Sequence, residues 1–149
     1  MSLPGEWEVE PQRGRDLGAR LSRAFFDAFE SGARRVIAIG TDCPWMGTAR
    51  VRLAFEMLNK ADVVLGPAAD GGYYLIGARK HLPIIFAGIP WGSGFVLQRT
   101  LLAIRSGRIR LRLLRRDFDL DRPQDLERIR ELIRNGECRA EKLQEWLER

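Results

Sequence analysis

The chain has 149 residues, 45% of them hydrophobic and 30% charged, which excludes intrinsic disorder and is enough for one domain with a real core. Against 20 Asp and Glu stand 25 Lys and Arg, a formal net charge of +5 carried almost wholly by Arg, since Lys60, Lys80 and Lys142 are the only lysines. No apolar run approaches the roughly 20 residues of a membrane helix and Met1–Gly5 lacks a signal-peptide pattern, so the chain is expected to have no membrane span and to be cytoplasmic.

In chain order, Met1–Arg15 reads as irregular and polar. Asp16 is a plausible N-cap for a helix over Leu17–Ser31, whose apolar positions Leu17, Leu21, Phe25, Ala28 and Phe29 recur at helical spacing before Gly32 stops it. Val36–Gly40 is a continuous apolar run, the pattern of a strand covered on both faces. A loop, Thr41–Gly47, leads to a second helix over Thr48–Asn59 that buries Val51, Phe55 and Leu58. Asp62–Ala68 is another buried strand, Asp70-Gly71-Gly72 a turn, and Tyr73–Ala78 a third strand. A Pro- and Gly-rich loop from Pro83 to Gly94 precedes a helix over Phe95–Ser106, and Ile109–Leu113 alternates Ile or Leu with Arg, as an edge strand with a charged face does. Asp117–Asp121 is an acidic loop, Pro123 opens a helix to about Arg134, and a last amphipathic helix carries Leu143, Trp146 and Leu147. This order of helices and strands implies a Rossmann-like mixed, mainly parallel sheet with helices on its faces.

Two cysteines, Cys43 and Cys138, make neither a disulfide framework nor a zinc site, and the single histidine, His81, argues against His-based chemistry. The strongest local signal is Asp42, directly after a buried strand in Ile39-Gly40-Thr41-Asp42-Cys43-Pro44. A carboxylate at the carboxyl end of such a strand is a hard-oxygen ligand for Mg²⁺ or Mn²⁺; it equally suits a turn or helix cap. Cys43 reads as buried packing. Asp117, Asp119 and Asp121 alternate toward one side of an extended segment, where convergent carboxylates call for a cation. Asp119 and Asp121 are therefore metal candidates, although Asp121 with Gln124 also fits a capping box. Asp70, Gly71, Gly72 and Tyr73 read as a binding loop or as a hairpin with core tyrosines. Trp91 reads as a lid or as core, and Ser93 as a cap that frees helix amides for an anion.

These residues together resemble the DUF2064 family of glycosyltransferase-A-type proteins. The resemblance rests on Gln12–Leu21, Ile39–Pro44, Asp62–Gly77, Ile89-Pro90-Trp91 and Asp119–Leu126, taken in that order, and covers about Pro11 to Ile133. The family in turn resembles nucleotide-diphospho-sugar transferases and, more distantly, nucleotidyltransferases that load molybdopterin or phospholactate. The resemblance implies a divalent metal, Mg²⁺ or Mn²⁺, with Asp42 as the acid after the central strand and Asp119 and Asp121 closing the site. It also implies that Asp70, Gly71, Gly72 and Tyr73 line an acceptor or sugar pocket. The family's opening strand and basic, Gly-containing nucleotide loop have no counterpart here, which marks the chain as a single N-terminally truncated domain. Arg122 stands where the family usually has Thr or Ser, which favours Asp121 as a cap and Asp119 as the ligand.

Two readings follow. The first is a metal-dependent transferase that moves a glycosyl or nucleotidyl group from a nucleotide or nucleotide-sugar donor to an unknown acceptor, with Asp42 and Asp119 catalytic. The second is an inactive nucleotide- or ligand-binding module. A nucleic-acid reading has the Arg excess in its favour but no recognisable motif. A missing opening strand would leave Val36–Ile39 at an open edge, to be covered by a homodimer partner, another protein or a folded-back Met1–Gln12.

Overall fold

The computed structural model describes residues 8–41, 43, 46–117 and 123–135. Helix α1 (Leu17–Glu30) starts where its cap places it, with Asp16 Oδ1 accepting from Ala19 N at 2.8 Å. There follow β1 (Val36–Ile39), α2 (Thr48–Met57), β2 (Val63–Pro67), β3 (Tyr73–Ala78), a 3₁₀ turn (Pro83–Ile85), α3 (Val96–Ser106), β4 (Leu111–Leu113) and α4 (Pro123–Arg134). Glu8–Arg13 is irregular, as the sequence predicts, so the fold-back strand offered as one alternative cover for β1 does not form over its described part; the helix expected around Trp146 lies outside the described residues.

The four strands form one mixed sheet in the order β1-β3-β2-β4. β3 is antiparallel to both neighbours, while β2 and β4 are parallel. Thus β1, β2 and β4 point the same way, as a mainly parallel sheet requires. The reversed strand nevertheless lies inside, so only β2 and β4 touch as parallel neighbours. The Ala68–Gly72 link explains this: a few residues can close a hairpin but cannot make the crossover of a dozen or more residues that a parallel neighbour needs.

Inserting β3 between β1 and β2 puts β1 at the edge. Its apolar run was expected to be covered on both faces. Instead Val36, Ile37 and Ala38 are half-buried and Ile39 is 52% exposed, whereas interior β2 is buried throughout. β4 is the opposite edge, and its flanking arginines have work there. Arg110 forks onto Asp62 through Nε and a terminal nitrogen, both at 3.0 Å, and Arg116 donates to the carbonyls of Ala68 and Ala69.

The core divides by sheet face. Val64, Ala54 of α2, Leu58 just after that helix, Leu114 and Ile129 of α4 pack on one side. Val63, Leu65, Phe25 of α1, Ile85, Phe86 and Ile104 of α3 pack on the other. β3 breaks its own alternation: Tyr74 and Leu75, adjacent in sequence, both join the α2 cluster, while Tyr73 and Ile76 join the α1 cluster. The ladder slips by one residue at Gly66/Pro67, opposite Leu75 and Tyr73, and this slip turns Tyr74 toward α2. Gly66 makes room, since a Cβ there would lie 2.4 Å from Tyr74 Cζ.

Candidate functional site

Because β1, β2 and β4 point the same way and β3 starts where they end, one end of the sheet gathers Gly40–Thr41, Ala68–Gly72 and residues 114–117. This is the carboxyl-end crevice where open α/β sheets bind ligands. The metal candidates Asp42, Asp119 and Asp121 lie outside the described residues, and among the described residues no three His, Cys, Asp or Glu side chains gather as a metal site. What is described is the frame on either side of them.

That frame centres on Tyr74. Its carbonyl accepts from Gly40 N at 3.0 Å, fixing the exit of β1 two residues before Asp42. Its hydroxyl donates to the Arg115 carbonyl at 2.9 Å, fixing the exit of β4. The Arg50 guanidinium lies 5.6 Å from the centre of its ring and donates to Asp117 Oδ2 at 2.7 Å. Asp117 N in turn donates to the Pro67 carbonyl at 2.9 Å, two residues before Asp119. Burial pushes the Tyr74 phenol above its ordinary value; Arg50 opposes that shift and Asp117 adds to it. Asp117 was expected to converge with Asp119 and Asp121, which lie outside the described residues. Its own side chain, 14% exposed, is held by Arg50, 26% exposed. No local signal could reveal this pair, whose members stand 67 residues apart.

Beside the frame, on the α1 side of the sheet, lies a cleft of about 660 Å³. Leu17 and Leu21 of α1, Ala38 and Ile39 of β1, Tyr73 to Ile76 of β3, and the Trp91–Gly94 loop line it, with Gln12 and Thr41 at its rim. Of the expected binding residues, Asp70, Gly72, Tyr73, Trp91 and Ser93 lie in this wall. Gly71 stands behind it at φ +95°, and a Cβ there would sit 2.1 Å from the Gly94 carbonyl oxygen, so the two loops interlock only with glycine. Asp70 Oδ1 accepts from Gly72 N at 2.8 Å, which shapes the turn. Trp91 meets Tyr73 edge-on at 6.1 Å, and its indole occupies the space that a side chain at Gly18 would need.

Ser93 does not cap α3 as expected. Its hydroxyl donates to the Pro90 carbonyl at 2.7 Å and accepts from Phe95 N at 3.3 Å, and the helix has no side-chain cap at Phe95. The amide of Leu97 is taken by the Gly71 carbonyl at 2.8 Å, so α3 is docked onto the glycine loop and not opened toward an anion. Among the described residues, Tyr73 Oη and Thr100 Oγ1 are buried without a hydrogen-bond partner. Burial pushes the Tyr73 phenol well up; the Thr100 hydroxyl offsets a little of this, although neither oxygen reaches bonding geometry. Cys43 is buried in the α2 cluster. His81 Nε2 lies 3.2 Å from Ser22 Oγ beyond the far end of β3, away from the cleft.

The sequence model of DUF2064, described as an uncharacterized protein conserved in bacteria, matches residues 1–93. The chain belongs to the DUF2064 family. A crystal structure from Desulfovibrio desulfuricans G20, provisionally described as a nucleotide-diphospho-sugar transferase, is 40% identical to this DUF2064 chain and superposes with a TM-score of 0.71. The match covers 74% of the present chain and 48% of that one, so this DUF2064 chain spans about half the length of the structure it matches. The α/β fold is shared with that protein. No curated protein matches the chain. Among the described residues no helix is long and apolar enough to cross a membrane.

Proposed function

We propose that the chain is a metal-dependent transferase domain that moves a glycosyl or nucleotidyl group from an activated nucleotide donor to an acceptor. One observation carries this reading: the three codirectional strands β1, β2 and β4 end at the same end of the sheet, and each is followed within a few residues by an aspartate, namely Asp42, Asp70 and Asp117. The description of the D. desulfuricans protein supports the same reaction class.

The donor chemistry fits Mg²⁺ or Mn²⁺, since the candidate ligands are all carboxylates and the nearby thiol of Cys43 is buried in the core. Asp42 and Asp119 would hold the ion, with Asp121 either joining them or capping α4. When bound, the ion neutralises charge on the leaving diphosphate or pyrophosphate. The chain's own residues do the rest. Arg50 keeps the Asp117 carboxylate occupied, Tyr74 ties the two acidic loops together through its main-chain carbonyl and its hydroxyl, and the cleft presents an acceptor beside them.

Calorimetric titration with UDP, GDP and CTP, with and without Mn²⁺, tests the reading. Metal-dependent binding of one nucleotide supports it. Absence of nucleotide binding under both conditions overturns it, and binding without any turnover of an activated donor favours a ligand-binding module.

A further inference from the structure

We propose that the cleft between α1 and the Trp91–Gly94 loop excludes phosphate and takes an acceptor with an apolar body that turns an uncharged or cationic group toward Asp70. The assignment to an acceptor rests on the transferase reading; the charge preference rests on the cleft alone.

The observation is a contrast. The protein carries 25 Lys and Arg, yet among the described residues none lines this cleft, and its one charged wall residue is Asp70. Three arginines of the surrounding elements are held elsewhere. Arg116 donates to the Ala68 and Ala69 carbonyls, Arg50 donates to Asp117, and Arg20 Nε donates to the Gly14 carbonyl. Helix α3 opens at the cleft but offers no free turn of amides. Phe95 N donates to Ser93 Oγ, Val96 N to the Ser93 carbonyl and Leu97 N to the Gly71 carbonyl. A phosphate entering here would lose its hydration and meet neither a cation nor a nest of N–H donors. It would also face the Asp70 carboxylate.

The same wall suits a different guest. Leu17, Leu21, Ile39 and Val96 give apolar surface, and Trp91 and Tyr73 give aromatic surface for a flat body. Asp70 has Oδ1 held by Gly72 N, and Oδ2 makes no hydrogen bond among the described residues. It can accept from a hydroxyl or an ammonium group, and the Trp91 indole adds attraction for a cation. A volume of about 660 Å³ lies within the range of small-molecule sites, about 300–1,000 Å³.

Three probes of nearly equal shape test this: tyramine (cation), 4-ethylphenol (neutral) and 4-hydroxyphenylacetate (anion), each titrated calorimetrically in the absence of metal. Tyramine is expected to bind at least about tenfold more tightly than 4-hydroxyphenylacetate, with 4-ethylphenol between them. Asp70→Asn, which keeps the acceptor for Gly72 N, is expected to bring tyramine down to 4-ethylphenol. Trp91→Ala is expected to weaken all three, which places them in the cleft. Equal binding of cation and anion, or no binding of any probe at millimolar concentration, overturns the inference. So does metal-free UDP binding that tyramine displaces. Charge-selective probe binding in a protein that ignores nucleotide and Mn²⁺ would sink the transferase reading and leave the cleft's preference standing. Metal-dependent nucleotide binding with no charge preference among the probes would do the reverse.

Discussion

Replacing Arg50 with Met removes the charge that Asp117 faces while keeping most of the apolar stem. The pair lies between the surface and buried extremes, with side chains 26% and 14% exposed and 2.7 Å between charged atoms. Exposed pairs contribute about 0–1 kcal/mol, and stripping one partner from a fully buried pair costs about 3–5 kcal/mol, so Arg50→Met is expected to cost about 2 kcal/mol. Two smaller effects cancel. Removing a cation from the first turn of α2 returns about 0.5 kcal/mol, and losing the contact with the Tyr74 ring costs about the same. Asp117→Asn should cost less, about 1 kcal/mol, because the freed Arg50 reaches water more easily. The double variant should cost less than the sum of the two, with a coupling of about 1–2 kcal/mol; the cycle separates the pair from the other contacts that each residue makes. Urea unfolding of the four proteins at pH 7 measures this. If the single costs add to the double within about 0.3 kcal/mol, the pair does not tie the α2 end to the β4 exit and the argument for the frame fails.

The fork from Arg110 holds the Asp62 carboxyl down at about 2, against an ordinary 3.8. A depressed carboxylate stabilises the fold above pH 3.8 and loses that contribution as pH falls toward 2. Because Asp62 is 17% and Arg110 62% exposed, screening leaves about 1 kcal/mol of it, which Asp62→Asn should erase from an acid-unfolding curve. Gly71→Ala forces a side chain to φ +95° and against the Gly94 carbonyl, and should cost about 3 kcal/mol or more; a fall in Tm of less than about 2 °C would contradict the interlock of the two loops. The half-covered β1 edge should make the isolated chain self-associate as a two-fold dimer, which Ile39→Lys should disperse; sedimentation showing wild-type monomer in dilute solution would rule this out. Asp119→Ala should lower Mn²⁺ affinity more than Asp121→Ala, and the opposite order would assign the second ligand to Asp121.

The sequence carried those parts of the fold whose causes are local. Asp16 before an apolar stripe made α1 legible to within a residue at its end, and Asp70-Gly71-Gly72 between two apolar runs made the hairpin legible. What strand lies beside what was not local. Val36–Ile39 is as apolar as Val63–Leu65, yet one is an edge and the other the centre, because β3 takes the place beside both. Tyr73 and Tyr74 look equivalent in sequence, yet they join opposite clusters, and a one-residue slip in the ladder puts Tyr74 on the same face as its neighbour Leu75. Ser93 carried a cap signal that the Gly71 carbonyl overrode from another loop. The residues chosen around Asp70 and Trp91 line one cleft, with Gly71 behind it, where the close approach to Gly94 requires glycine. The Arg50–Asp117 pair left no trace that spacing could reveal.

The most direct test of the transferase reading is Mn²⁺-dependent nucleotide binding by the wild type and by Asp42→Asn, with thermal unfolding of both. If Asp42 holds the ion, the variant loses metal-dependent binding and keeps its Tm. If it instead binds as the wild type does and loses about 1 kcal/mol of stability, Asp42 is a cap and the proposed metal site is wrong.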